Sequence, residues 1–133
     1  MTFKFEKLEV WQASLDYIDD IYAVASQLPK HEEFNLKSQI TRAATSIALN
    51  IAEGSTGQSD AEFARFLGMA IRSLVETVAC QKLIERRGYA TQGVTLPGLY
   101  AKAQTLASRL QALRNAVSPE KSWLKEDGPA YGS

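Results

Sequence analysis

Asn50 and Glu53 stand three residues apart in the run Arg42-Ala-Ala-Thr-Ser-Ile-Ala-Leu-Asn-Ile-Ala-Glu-Gly54. On a helix that spacing puts an amide and a carboxylate on one face, where they can line a ligand or substrate site or form a structural polar pair. The composition of the neighbourhood favours the structural pair, with Glu53 held by an arginine such as Arg65 across the following turn and Asn50 fixing register. A buried carboxylate without such a partner is costly, and polar residues in helical seams are established register devices. Other chemistry is thinly supplied. His31 is the only histidine and falls in a polar link; Cys80 is the only cysteine and sits in a helical apolar pattern, as a small buried side chain does. A di-iron bundle needs Glu-x-x-His pairs from two helices, which one histidine cannot supply. No glycine-rich phosphate loop, Cys-x-x-Cys pair or Gly-x-Ser-x-Gly elbow occurs. The expectation is a non-enzyme with no metal or cofactor.

Basic residues offer a different chemistry. Arg65, Arg72 and Arg86 lie at multiples of seven, forming one row on a helix, with Lys82 and Arg87 beside it. Lys102, Arg109 and Arg114 occur in a later stretch without acids, whereas the first apolar stretch carries Glu9, Asp16, Asp19 and Asp20 without bases. Arg65, Arg72, Arg86, Arg87, Arg109 and Arg114 are therefore candidate phosphate contacts. Mutual neutralisation of the first and last helices is the competing reading, as is a pair of Arg72 with Glu76. The net charge is zero and the isoelectric point about 6.6, unlike the basic balance of a dedicated nucleic-acid binder. Weak binding to nucleic acid is expected.

The elements that position these residues are helices. From Leu8 to Leu28 apolar residues recur at helical steps along two adjacent seams, Leu8, Trp11, Leu15, Ile18, Tyr22 and Ala25 on one, Val10, Tyr17, Ile21, Val24 and Leu28 on the other. The resulting sector is wider than a core-facing stripe requires, so Val10, Tyr17, Ile21 and Val24 are expected between subunits. Pro29 closes this helix. A second runs from about Phe34 to Ser55 with core positions Leu36, Ile40, Ala43, Ala44, Ile47, Ile51 and Gly54, whose small members permit close approach by a neighbour. Ser59 and Glu62 have capping-box spacing at the start of a third helix, which carries Phe63, Phe66, Leu67, Ala70, Leu74, Val78, Leu83 and Ile84 to a stop at Gly88. A fourth spans about Leu99 to Val117. Short links between amphipathic helices predict an all-α, antiparallel up-down-up-down four-helix bundle over residues 1–117.

Residues 118–133 form a C-terminal extension, in which Trp123 and Leu124 are expected to pack on the same or an adjacent subunit. With 45% hydrophobic residues, no apolar run of bilayer length and no basic-then-apolar leader at Met1, the chain reads as cytoplasmic, with no membrane role.

Written together, Leu8-Glu-Val-Trp-Gln12, Ser38-Gln-Ile-x-Arg-Ala-Ala44, Asn50-Ile-Ala-Glu-Gly54 and Phe63-x-x-Phe-Leu67 resemble the bacterial four-helix-bundle proteins first noted in intervening sequences of 23S rRNA genes. The accessory variability determinants of diversity-generating retroelements are related. The resemblance runs from Phe5 to about Val117. It implies an antiparallel bundle assembled into a ring, typically a pentamer, with no established enzymatic activity. The retroelement relatives use a strongly basic ring to bind reverse transcriptase and nucleic acid, and the balanced charge of this chain departs from that. The combined expectation is a homo-oligomeric scaffold for another protein or an RNA-containing assembly. The alternative is a nucleic-acid-binding accessory protein acting with a reverse transcriptase.

Overall fold

A computed structural model of the chain describes residues 1–57 and 59–118. Its described part is all-α: a short 3-10 turn at Lys4–Lys7, then α1 (Glu9–Ala25), a second 3-10 turn at Lys30–Glu32, α2 (Leu36–Ser55), α3 (Asp60–Arg87) and α4 (Leu96–Val117). Each helix buries one apolar stripe. Tyr17, Ile21, Ile40, Ile47, Ile51, Leu67, Leu74, Ile84, Leu99 and Leu110 are completely or almost completely removed from solvent, each such side chain being worth about 1.5–3 kcal/mol of burial.

The helix boundaries follow local chemistry. Ser59 caps α3, its hydroxyl accepting from the Glu62 amide at 3.1 Å. The reciprocal half of the expected box is replaced, because the Glu62 carboxylate accepts from Arg65 at 2.7 Å. Gly88 stops α3 with φ 73°, a left-handed conformation that costs least without a Cβ. α4 begins three residues earlier than its apolar pattern predicts. The Thr95 hydroxyl accepts from the Gly98 amide at 3.1 Å, and Pro97 is harmless in a first turn whose amides have no helical partner.

α2 and α3 pack closely at Gly54, where an added Cβ would lie 2.5 Å from Phe66 Cβ and 3.1 Å from Phe63 Cδ1. At the other end of the molecule two links are tied together. Gln27 donates to the Gln92 carbonyl at 2.9 Å and accepts from the Gln92 amide at 2.5 Å. Buried Glu32 accepts from the Tyr89 hydroxyl at 2.6 Å and from the Asn35 amide at 2.9 Å. These bonds hold the Glu32 carboxyl below its ordinary value, Tyr89 contributing most, while the same contact raises the Tyr89 hydroxyl.

The wide apolar sector of α1 is resolved against expectation. Val10, Tyr17, Ile21 and Val24 are buried within the single chain, so they are its own core seam and not a face left over for a second subunit. The other seam lies at the edge of the core: Leu8, Trp11 and Ile18 are partly buried and packed against it, and Tyr22 is 49% exposed. Both seams have helical period; only the position of α2 and α4 decides which one faces inward. The expected anchors Trp123 and Leu124 lie outside the described residues.

Candidate functional site

Asn50 and Glu53 do not form the expected internal polar pair. The Asn50 amide donates to the Ser46 carbonyl of its own helix at 2.9 Å, and Glu53 is exposed. The guanidinium expected to hold Glu53 is engaged elsewhere: Arg65 bonds Glu62, stacks over the Phe66 ring at 4.6 Å and reaches Met69 Sδ at 3.7 Å. Arg65 and Glu62 are close in sequence on one helix, so that pair forms without the reach that Glu53 would demand. Among the described residues Glu53 makes no ion pair within 4 Å.

The local motif therefore divides into two faces. Ile51 and Gly54 point inward, Ile51 into the core and Gly54 onto Phe66. Outward, Leu49 is 62% exposed one turn before Glu53. Thr45, a further turn back, shares a hydrogen bond of 3.2 Å with the Tyr22 hydroxyl of α1. Tyr22, Thr45, Leu49 and Glu53 thus make a strip across α1 and α2. Sequence reasoning missed this strip because Leu49 falls outside the core periodicity and Tyr22 inside it.

The arginines are not gathered on one surface. Arg65 is occupied as described. Arg72, Arg86 and Arg87 are exposed on α3, with Val75 and Leu83, themselves 60% and 51% exposed. The expected burial of Leu83 is thereby corrected, since its position on α3 turns it away from both neighbouring helices. Arg72 makes no ion pair with Glu76 within 4 Å among the described residues. On α4 the two arginines diverge. Arg114 lies against the backbone of α3 at Gly68, where a Cβ would meet its guanidinium at 3.3 Å, and Arg109 faces α1. One element of the expected neutralisation between α1 and α4 is present, Lys102 donating to Asp20 at 2.5 Å.

A directed chain of hydrogen bonds lies inside the bundle. Gln81 Nε2 donates to the Tyr17 oxygen at 2.6 Å; Thr77 Oγ1, 2.7 Å from that oxygen, itself donates to the Leu74 carbonyl at 2.6 Å and so accepts from Tyr17. Burial pushes the Tyr17 hydroxyl up to about 12 even though the bond donated by Gln81 pulls it down. Cys80 is buried next to this chain, and desolvation raises its thiol, with Glu76 adding to the effect. His31 is exposed, its Nε2 3.1 Å from the Tyr89 hydroxyl. No described helix is long and apolar enough to cross a membrane, and the described residues contain no cluster of three or more His, Cys, Asp or Glu side chains that could hold a metal.

With four helices and this outward motif in place, the family model described as 23S rRNA-intervening sequence protein matches residues 6–116. The chain belongs to this family. The match reaches from before α1 to the last turn of α4 and includes both the Gly54 contact and the Leu49–Glu53 strip. A search of curated proteins returned no match.

Proposed function

We propose that this family member is a non-enzymatic, homo-oligomeric scaffold of the cytoplasm, built from an up-down-up-down antiparallel bundle. The pairs Gly54 with Phe66, Tyr17 with Gln81, Asp20 with Lys102 and Gly68 with Arg114 support that chain direction. The observation that carries the scaffold reading is the outward strip. Leu49 is 62% exposed one turn from Glu53, an acid that makes no ion pair within 4 Å among the described residues, immediately before the Asn50–Gly54 motif that the family resemblance includes. A contiguous exposed apolar patch rimmed by polar residues is the mark of a contact surface, and Leu49 with Tyr22 supplies the apolar part here. The strip supplies one self-association face, and a ring of about five copies is the arrangement the resemblance favours.

The test is light-scattering mass at micromolar concentration. The parent should be a multimer, and Leu49→Glu should reduce the mass while leaving the helical circular dichroism unchanged. A parent mass of one chain refutes the scaffold; a Leu49→Glu protein of unaltered mass refutes the assigned face.

A second reading, a nucleic-acid-binding accessory protein acting with a reverse transcriptase or an RNA assembly, is favoured by Arg72, Arg86 and Arg87, which are exposed on one helix. It requires binding to generic RNA that weakens steeply between about 50 and 200 mM salt, with a slope reduced by roughly one unit per arginine replaced. Absence of that dependence removes it.

A further inference from the structure

A closed ring of more than two copies needs two different contact faces on each chain, because one face that meets itself stops at a dimer. The strip of Tyr22, Thr45, Leu49 and Glu53 is one such face. A second lies on the other side of the molecule. α1 packs against α2 and α4, and α3 packs against the same two helices, so the α1–α2 edge and the α3–α4 edge stand across the bundle from each other.

The α3–α4 edge is pinned at two places. Lys82 Nζ lies 4.3 Å from the centre of the Tyr100 ring, and the Arg114 guanidinium lies against Gly68. Val75 is seven residues from both Gly68 and Lys82, and Ala107 is seven from both Tyr100 and Arg114. Each therefore falls on the line of its helix that makes these contacts, midway between them. A valine thus stands opposite an alanine, too small to cover it. Val75 is 60% exposed and Tyr100 36%, over a floor of partly buried Ile71, Val78 and Ala107.

The two edges differ in charge. One helical turn from Val75 the only charged residue is Arg72, and Lys82 and Arg114 stand at the ends of the same patch. On the strip, the charged residue one turn from Leu49 is Glu53, and the one a turn from Tyr22 is Asp19. Arg42, seven residues before Leu49, is a base near the strip and donates to the Ser38 hydroxyl at 3.3 Å. Two acids and one base thus face outward on the strip, against three bases on the patch. Asp19, Glu53 and Arg72 make no ion pair within 4 Å among the described residues.

We propose that the α1–α2 strip of one copy packs on the α3–α4 patch of the next, Leu49 and Tyr22 against Val75 and Tyr100, with the acids of the strip facing the bases of the patch. The contact is head-to-tail between unlike faces, and its charge complementarity fixes which face meets which. The inference rests on the scaffold reading and deepens it by naming the surface that the strip meets.

The experiment combines two variants of the full chain, Leu49→Glu, which spoils the strip, and Val75→Glu, which spoils the patch, with mass followed by light scattering at one fixed total concentration. Each alone should fall to the mass of one chain. Each keeps one intact face, and those two faces are partners, so an equimolar mixture should regain the mass of two chains and go no further. Unfolded chains would not produce that recovery. Arg72→Glu, at an exposed position, serves as a second patch variant with the same expected outcome. A strip that meets its own copy would instead leave Val75→Glu associated by itself. Patch variants of parent mass, or mixtures that stay at one chain, overturn the proposal. In a parent that is multimeric those results remove only this pairing of faces, whereas a parent of one chain removes the scaffold reading as well.

Discussion

Tyr17→Phe should destabilise the bundle by an amount that Gln81 controls. Tyr17 is 1% and Gln81 3% exposed, so water cannot replace a lost partner. The parent already leaves Gln81 Oε1 without a partner among the described residues. Removing the tyrosine hydroxyl strands Gln81 Nε2 as well and takes from Thr77 the hydrogen bond that it accepts. Stranding a buried donor costs about 1–3 kcal/mol, and van der Waals contacts of the ring are retained, so the expected loss is about 2 kcal/mol. For a domain of this size that corresponds to a melting shift of roughly 6–12 °C. Gln81→Met removes the orphaned oxygen and its amide together at nearly constant shape, leaving Tyr17 its bond to Thr77. Its own effect should lie within about 1 kcal/mol of zero or be stabilising. The cost of Tyr17→Phe should then fall by about 1 kcal/mol in the Gln81→Met background. Urea unfolding followed by circular dichroism, at one fixed chain concentration because self-association shifts apparent stability, measures all four proteins. A Tyr17→Phe loss below about 0.5 kcal/mol, or strict additivity of the two changes, refutes the reasoning.

Gly54→Ala sets a gain in helix propensity of up to about 1 kcal/mol against a Cβ 2.5 Å from Phe66 Cβ; overpacking by about 1–3 kcal/mol or more should win, giving a lower urea midpoint, and an unchanged midpoint would show that α2 and α3 can separate freely. Acidification should loosen the clasp between the two links. Glu32 has a folded-state pKa below its ordinary 4.5, so its contribution is fully present above that value and lost as pH falls through the depressed one. The melting advantage of the parent over Glu32→Gln should therefore shrink below about pH 4.5, and an advantage constant from pH 7 to 3 would contradict the assigned cause.

Much of the architecture was legible in the chain. Ser59 and Gly88 mark helix ends by local chemistry, and every core position read on α2 is buried, because a helix with one solvated side repeats its apolar residues at its own period. The start of α4 was less legible, since Leu96-Pro-Gly98 reads as turn composition until the Thr95 cap is seen. The polar positions were the least legible. Asn50 and Glu53 share a face on any helix, but the direction of that face depends on where α1 and α3 lie. Arg65 had several acids within sequence reach and took Glu62.

The residue pattern by itself determined that the chain makes amphipathic helices, roughly where each begins and ends, and to which family it belongs, because capping, glycine conformation and periodicity act within a few residues of one another. Tertiary structure alone decided that the Val10, Tyr17, Ile21 and Val24 seam of α1 turns inward, that Glu53 and Leu49 turn outward, and that α1 and α4 part around Arg109. Two apolar seams on one helix are equivalent in local physics. Which of them is desolvated depends on the side-chain volumes that three other helices bring to it.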